Sequence, residues 1–318
     1  MQVRRLGRSG LEVSRLGLGT LTWGHSTDEH EARELLVSFV DAGGTLLDTS
    51  ASYGDGASES LLGSLIGDTV RRDEVVLATK AGIDRSGSGR RTDTSRGFLL
   101  DTLDASLGRL GTDHVDLWQV HVWDDRTPIE ETLSALDIAV ASGRARYAGI
   151  SNYAGWQTAQ AATWQVAAPG RTPLVSTQVE YSLLNREVEH EVIPAAEALG
   201  LGVLPWSPLG RGVLTGKYRH GTPADSRAAS QAFARYVGEY LGDEEEGIVE
   251  AVARAADGLG WTPAEVALAW VRDRPGVTAP IIGPRTAAQL EQILPVEDKT
   301  LPAQLVAALD DVSAGEPA

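Results

Sequence analysis

The sequence predicts an α/β protein folded as a (β/α)8 barrel, with a β-hairpin ahead of the first barrel strand and two extra helices between strands seven and eight. Three observations carry this expectation. Eight short apolar runs alternate with amphipathic helical stretches, the pattern of parallel strands joined by helical crossovers. Runs such as Val75-Val76-Leu77-Ala78 are apolar without alternation, as strands covered on both faces must be. The glycine fingerprint of an open dinucleotide-binding sheet is missing, because Gly17-Leu18-Gly19 continues as Thr20-Leu21-Thr22 with no third glycine.

Each element has its own signal. Residues 3–6 and 11–14 flank Gly7-Arg8-Ser9-Gly10 and read as the hairpin. Barrel strands are expected at 15–19, 45–48, 75–80, 115–121, 145–151, 174–179, 202–207 and 277–283. The first helix, 28–41, has Asp28 as its cap, apolar Leu35, Leu36, Phe39 and Val40 at helical spacing, and Gly43 as its stop. Helices 95–110, 128–141, 154–166, 186–199 and 286–294 repeat that theme, and 244–258 and 263–272 are the two extra ones. Before them runs 210–243, long and irregular, the kind of loop a compact domain keeps for function. Residues 85–91 read as a mobile loop, and 310–318 as a helix with a frayed tail. With that tail short, an open substrate pocket is expected. No stretch looks like an interdomain linker, so one domain over 1–318 is expected.

Composition narrows the function. The chain has 318 residues, 42% of them apolar, no cysteine and a net charge of -16. Disulfides, thiolate metal sites and a cysteine nucleophile are excluded. So acidic a chain is not expected to bind nucleic acid or anionic membrane. The start, Met1-Gln2-Val3-Arg4-Arg5-Leu6-Gly7, has no apolar run, and no stretch is long enough to span a membrane, so a cytoplasmic location is expected. Of six histidines only His121 sits at a strand end, so no metal site is expected. No motif sets an oligomeric state.

In a barrel of this kind, function gathers at the C-terminal ends of the strands. Asp48 ends strand two, with Tyr53 five residues on; Lys80 ends strand three and His121 strand four. Four such side chains on consecutive units of one rim make a coherent acid–base set. A phenol is a poor proton donor near neutrality, and an adjacent ammonium such as Lys80 stabilises its phenolate. Asp48 holds and orients that ammonium, Tyr53 acts as general acid, and His121 hydrogen-bonds a substrate oxygen.

Leu47-Asp48-Thr49-Ser50 with Tyr53-Gly54, Leu77-Ala78-Thr79-Lys80, and Asp116-Leu117-Trp118-Gln119-Val120-His121 resemble the catalytic motifs of the aldo-keto reductases. The resemblance covers nearly the whole chain. It implies that Asp48, Tyr53, Lys80 and His121 are the family's tetrad, with Tyr53 the proton donor to a carbonyl that His121 orients, and that hydride comes from a nicotinamide across the barrel mouth. Asp48 is counted among the cofactor contacts as well. Ser151 and Asn152 of Gly149-Ile150-Ser151-Asn152, with Gln178, resemble the residues that hold the nicotinamide carboxamide, and Trp206 the ring stacked on it. Thr20, Trp23, Ser207, Pro208, Leu209, Gly210, Gly212 and Lys217 are further implied cofactor contacts, the last three in the segment resembling the loop over the pyrophosphate. Gly283, Arg285, Thr286 and Gln289 resemble the adenosine site, where Thr286 caps a helix whose backbone N–H groups can face an anion. Arg285 suits a 2′-phosphate, which makes NADPH/NADP+ the expected cofactor. Gln292 and Ile293 depart from the acidic residue and asparagine usual there.

The tetrad implies a small-molecule carbonyl substrate without saying which. Leu21, Thr22, Trp23, Trp118, Val122, Trp123 and the 210–243 loop are the candidate pocket walls, and the tryptophans suggest an apolar or ring-stacking pocket. Arg219, His220 and Arg227 can meet an anionic substrate, although solvated loop charge is the preferred reading. The alternative function is a cofactor-sensing regulatory subunit resembling the β subunits of ion channels. A metal-dependent barrel hydrolase is disfavoured by the scattered histidines.

Overall fold

The computed structural model describes residues 1–314 except Ser86, Ser88, Asp225, Gln231 and Ala232. The tail at 315–318, part of the 85–91 loop and the side chain of Arg227 therefore lie outside the described residues.

Eight parallel strands close into a barrel: β3 (Gly17–Gly19), β4 (Leu46–Asp48), β5 (Val76–Ala81), β8 (Val115–Val120), β9 (Ala145–Ser151), β10 (Leu174–Glu180), β11 (Gly202–Trp206) and β12 (Ile281–Ile282), with β12 pairing back onto β3. The hairpin of β1 (Val3–Arg5) and β2 (Glu12–Ser14) precedes them, and a second hairpin, β6 (Ile83–Asp84) with β7 (Arg91–Thr92), stands on the end of β5. The last strand is shorter than the apolar run suggests. Pro280 inside it has no N–H to give a ladder, and Val277 is left as an isolated bridge to Val203.

Strand alternation decides which side chains face inward. Leu47, Leu77, Trp118 and Ile150 pack outward against the helices in the main core. Leu46, Ala78, Leu117, Leu204 and Ile281 form a separate apolar layer inside the barrel, closed from below by Leu6, Leu11 and Val13 of the first hairpin. Gly7 makes that plug fit. A Cβ at its φ of +57° would lie 2.5 Å from the carbonyl oxygen of Gly200.

The helices α1 (Glu29–Asp41), α3 (Arg96–Leu110), α4 (Ile129–Ala141), α5 (Gly155–Val166), α8 (Asp243–Leu259), α9 (Pro263–Arg272) and α10 (Ala287–Ile293) lie where the sequence places them, and Asp28 caps α1 by accepting from Glu31 N–H. Three points differ. The 186–199 stretch is a short 3-10 turn and then α6 (Val192–Leu199), because Pro194 fits only the first turn of a helix. An unforeseen helix, α2 (Ala57–Leu65), lies between β4 and β5; a Cβ at its Gly63 would lie 2.3 Å from the carbonyl oxygen of Arg109 in α3, so the two helices meet at the glycine. The 210–243 segment is not wholly irregular. It holds 3-10 turns at Gly210–Thr215 and Arg227–Ala229 and a third helix between the last two strands, α7 (Ala234–Gly238). The last helix, α11 (Ala303–Ser313), begins earlier than expected. Its Asp310 accepts from the Trp270 indole and from Arg274.

Candidate active site

The strand that buries Leu46 inward in the lower layer presents Asp48, two residues on, to the upper end of the barrel; β5 does the same with Ala78 and Lys80. Lys80 is fully buried. Its ammonium donates to Asp48 Oδ2 at 2.6 Å, to the Thr49 carbonyl at 2.9 Å and to the Tyr53 hydroxyl at 3.3 Å. Asp48 is held from its other oxygen by the Gln178 amide at 2.8 Å. Tyr53 begins the 3-10 turn Tyr53–Gly56 after β4, half-buried, and its ring meets the His121 ring edge-on at a centroid distance of 5.9 Å.

Burial alone would lower the pKa of Lys80, but Asp48 and Tyr53 together raise it, so the ammonium stays charged. Lys80 does pull the Tyr53 hydroxyl toward ionisation, as expected from the residues. Burial and Asp48 outweigh that pull, and the hydroxyl lies above its ordinary value. The phenol is thus neutral and carries its proton near pH 7. His121 is held well below the usual imidazole value, first by burial and then by the positive charges of Lys80, Arg90 and Arg85, so it too is neutral. Its Nδ1 lies 3.0 Å from Ser50 Oγ, which also meets the Lys80 carbonyl at 3.3 Å. Sequence motifs gave Ser50 no task. Its partner is 71 residues away, and no local pattern joins the two.

Above these residues opens a cleft of about 960 Å³, at the large end of the roughly 300–1,000 Å³ typical of ligand and cofactor sites. Asp48, Tyr53, His121, Ser151, Asn152, Gln178, Trp206, Ser207, Pro208, Leu209, Gly212, Lys217, Gly283, Arg285 and Gln289 all line it, so most of the implied contacts share one continuous wall. Asn152 ties that wall together. Its amide donates to the His121 carbonyl at 2.9 Å and its oxygen accepts from the Trp206 indole at 2.9 Å. Asn152, Ser207 and Arg211 hold positive φ values of 57°, 51° and 57°, conformations a non-glycine residue keeps only where its surroundings enforce them.

Other sequence expectations fall elsewhere. Thr20 is buried and donates its N–H to the Asp48 carbonyl, bracing the strand and not the cleft. Trp23 and Trp118 are sealed in the main core, and Trp123 packs edge-on against Tyr153 and Trp156. Strand register and not residue type turns them away. The aromatic wall comes from Trp206, Phe233 and Tyr236, beside Leu21, Thr22 and Val122. Gly210 serves packing, since a Cβ there would lie 2.5 Å from Leu184. Thr286 caps α10 by accepting from Gln289 N–H, as expected, and Ala287 N–H is already taken by Glu31. Gln292 and Ile293 are on the cleft wall. Arg219 pairs with Glu250 and, like His220, is not among the lining residues. The C-terminal helix contributes nothing to the lining either.

Arg211 was overlooked among the glycines around it. It grips Glu180 with two bonds of 2.9 and 2.8 Å, reaches Glu239, and lies against the rings of Tyr236 and Tyr240. This clamp fastens α7 over the cleft, with Tyr236 and Ser207 hydroxyls 3.2 Å apart.

The lining fits a nicotinamide dinucleotide. It brings together a proton-donating set, the flat indole of Trp206 and two cations, Lys217 and Arg285. Gly212, with φ of +95°, keeps open the space where a Cβ would lie 3.1 Å from the Lys217 ammonium. A closed barrel with such a cleft at its upper end defines a nicotinamide-dependent oxidoreductase barrel. The model of the Aldo/keto reductase family matches residues 15–314, and the chain belongs to that family. It is an NAD(P)H-dependent oxidoreductase. It is 40% identical to the uncharacterized oxidoreductase YrpG of Bacillus subtilis, over 99% of this chain and 97% of the relative. It is 38% identical to a probable voltage-gated potassium channel subunit beta of Oryza sativa, over 89% and 87%. It is 35% identical to the L-glyceraldehyde 3-phosphate reductase of Escherichia coli, over 92% and 86%. Among the described residues no helix is long and apolar enough to cross a membrane.

Proposed function

We propose that this chain reduces an aldehyde or ketone to an alcohol with NADPH, using Tyr53 as general acid, in the cytoplasm. The observation that carries the reading is the Tyr53 hydroxyl 3.3 Å from an ammonium that Asp48 keeps charged, beside a neutral imidazole on one cleft wall.

The reduced nicotinamide, when bound, supplies the hydride for the carbonyl carbon. Ser151, Asn152 and Gln178 would hold its carboxamide edge, and Trp206, fixed by Asn152, would stack on its ring. Lys217 and Arg285 would meet the phosphates, and Arg285 would favour the 2′-phosphate of NADPH. His121, its Nδ1 paired with Ser50 Oγ, would hydrogen-bond the carbonyl oxygen through Nε2. As negative charge builds on the oxygen, the Tyr53 Oη–H bond breaks and the proton moves to it. Lys80 stabilises the phenolate, which regains a proton from solvent.

The test is NADPH consumption with a panel of aldehydes and ketones, beside binding of NADPH and NADH followed by tryptophan quenching. Turnover with tighter NADPH binding is expected. Binding without turnover of any carbonyl would instead favour the regulatory-subunit reading, which similarity to channel subunits keeps in view.

A further inference from the structure

We infer that the carbonyl substrate carries an anionic group, carboxylate or phosphate, and that Arg85 and Arg90 bind it at the mouth of the cleft. The inference rests on the carbonyl-reduction reading and adds a substrate class to it.

The β6–β7 hairpin carries both arginines. It leaves the end of β5 only three residues past Lys80, and it pairs Ile83 with Thr92 and Asp84 with Arg91. Arg85 and Arg90 are the next residues beyond those pairs, toward the turn, and both line the cleft with Ile83, Tyr53 and His121. The turn into the hairpin passes beside the backbone of His121. Gly82 has φ of +120°, and a Cβ there would lie 3.7 Å from the backbone nitrogen of His121. Both guanidinium groups are near enough to help hold His121 neutral.

Charge is distributed unevenly over the molecule. The chain is strongly acidic, yet among the described residues the cleft is lined by five cations, Arg85, Arg90, Arg211, Lys217 and Arg285, against one carboxylate, Asp48. Asp48 is neutralised by Lys80, and Arg211 is committed to Glu180 and Glu239. Lys217 and Arg285 belong to the end assigned to the cofactor phosphates. Arg85 and Arg90 therefore set the field at the end where the carbonyl reacts. Among the described residues Arg85 is paired with Asp55, at 3.9 Å with both side chains well exposed, a contact worth little in water. The adjacent Arg91 is bonded to Asp84 and Asp93. Two guanidinium forks are suited to a carboxylate or phosphate, and a cationic mouth on an acidic protein concentrates anions there.

The test measures kcat and KM, with saturating NADPH, for two pairs of aldehydes differing in charge: 4-carboxybenzaldehyde against methyl 4-formylbenzoate, and glyceraldehyde 3-phosphate against glyceraldehyde. In wild type the anion of at least one pair is expected to have a KM about tenfold lower at low salt. In the Arg85→Gln/Arg90→Gln variant, with its Tm checked against wild type, that ratio collapses toward one while kcat changes little. Which pair shows the preference distinguishes carboxylate from phosphate. Equal KM values within both pairs, or a preference that survives in the variant, overturn the inference and leave the reductase reading intact. No turnover of any of the four aldehydes defeats the reductase reading and this inference with it.

Discussion

The two interior layers of the barrel are made by the same strands and differ in what lies two residues further on. Below, Leu46, Ala78, Leu117 and Leu204 pack with the hairpin into an apolar layer. Above, the same strands supply Asp48, Lys80, Gln119 and Trp206. The lower layer gains stability from removing apolar surface from water. The upper layer buries an ammonium and a carboxylate, which is costly unless each is fully bonded. Every oxygen and hydrogen around Lys80 and Asp48 is accordingly directed at a partner. The difference separates a layer that holds the fold from a layer that the fold holds for chemistry.

Substitutions sharpen that separation. Lys80→Met leaves Asp48 buried without its cation. It is expected to cost roughly 3–5 kcal/mol of stability and to lower kcat steeply, both read from thermal unfolding and steady-state kinetics on one preparation. Leu204→Ala in the lower layer is expected to cost about 2–5 kcal/mol while kcat and KM of the folded protein stay within twofold of wild type. A large change in kcat there would erase the distinction between the layers. At the far end of the cleft, Arg285→Ala is expected to weaken NADPH binding about tenfold, or ~1.4 kcal/mol, with NADH binding nearly unchanged in the same titration. The smallest effect belongs to Ser50→Ala. Losing one hydrogen bond of about 0.5–1.5 kcal/mol lowers kcat about tenfold at most and leaves KM for NADPH alone. In wild type, kcat is expected to stay level as pH falls through the ordinary histidine value, because His121 is held well below it. A loss centred on that value would show the imidazole to be freely titrating.

The strand ends were legible because barrel chemistry is written locally: an apolar run, then a polar residue, as at Asp48, Lys80 and His121. Partnerships across the sequence were not. Ser50 meets His121 only once β4 and β8 stand at their places in the barrel, and Arg211 finds Glu180 and Glu239 only when α7 folds over the cleft. The tryptophans misled for a related reason. Trp118 lies between Leu117 and Gln119, and register alone decides that it faces the helices. Helix α2 escaped notice because its glycine, unfavourable in a helix, is needed where Arg109 of α3 crosses it. At the adenosine end, Thr286 was legible as a cap, but not the reach of Glu31 from α1 to the Ala287 N–H.

The most direct test of the account is Tyr53→Phe, measured as the rate of NADPH consumption with an aldehyde the wild type reduces, beside the affinity of the same variant for NADPH. The account predicts a fall in kcat of roughly 10²–10⁴-fold with NADPH binding and Tm unchanged, since only the proton held near Lys80 is removed. A variant that binds NADPH and still turns over within a few-fold of wild type would contradict it, and the acid would have to be sought elsewhere on the cleft wall.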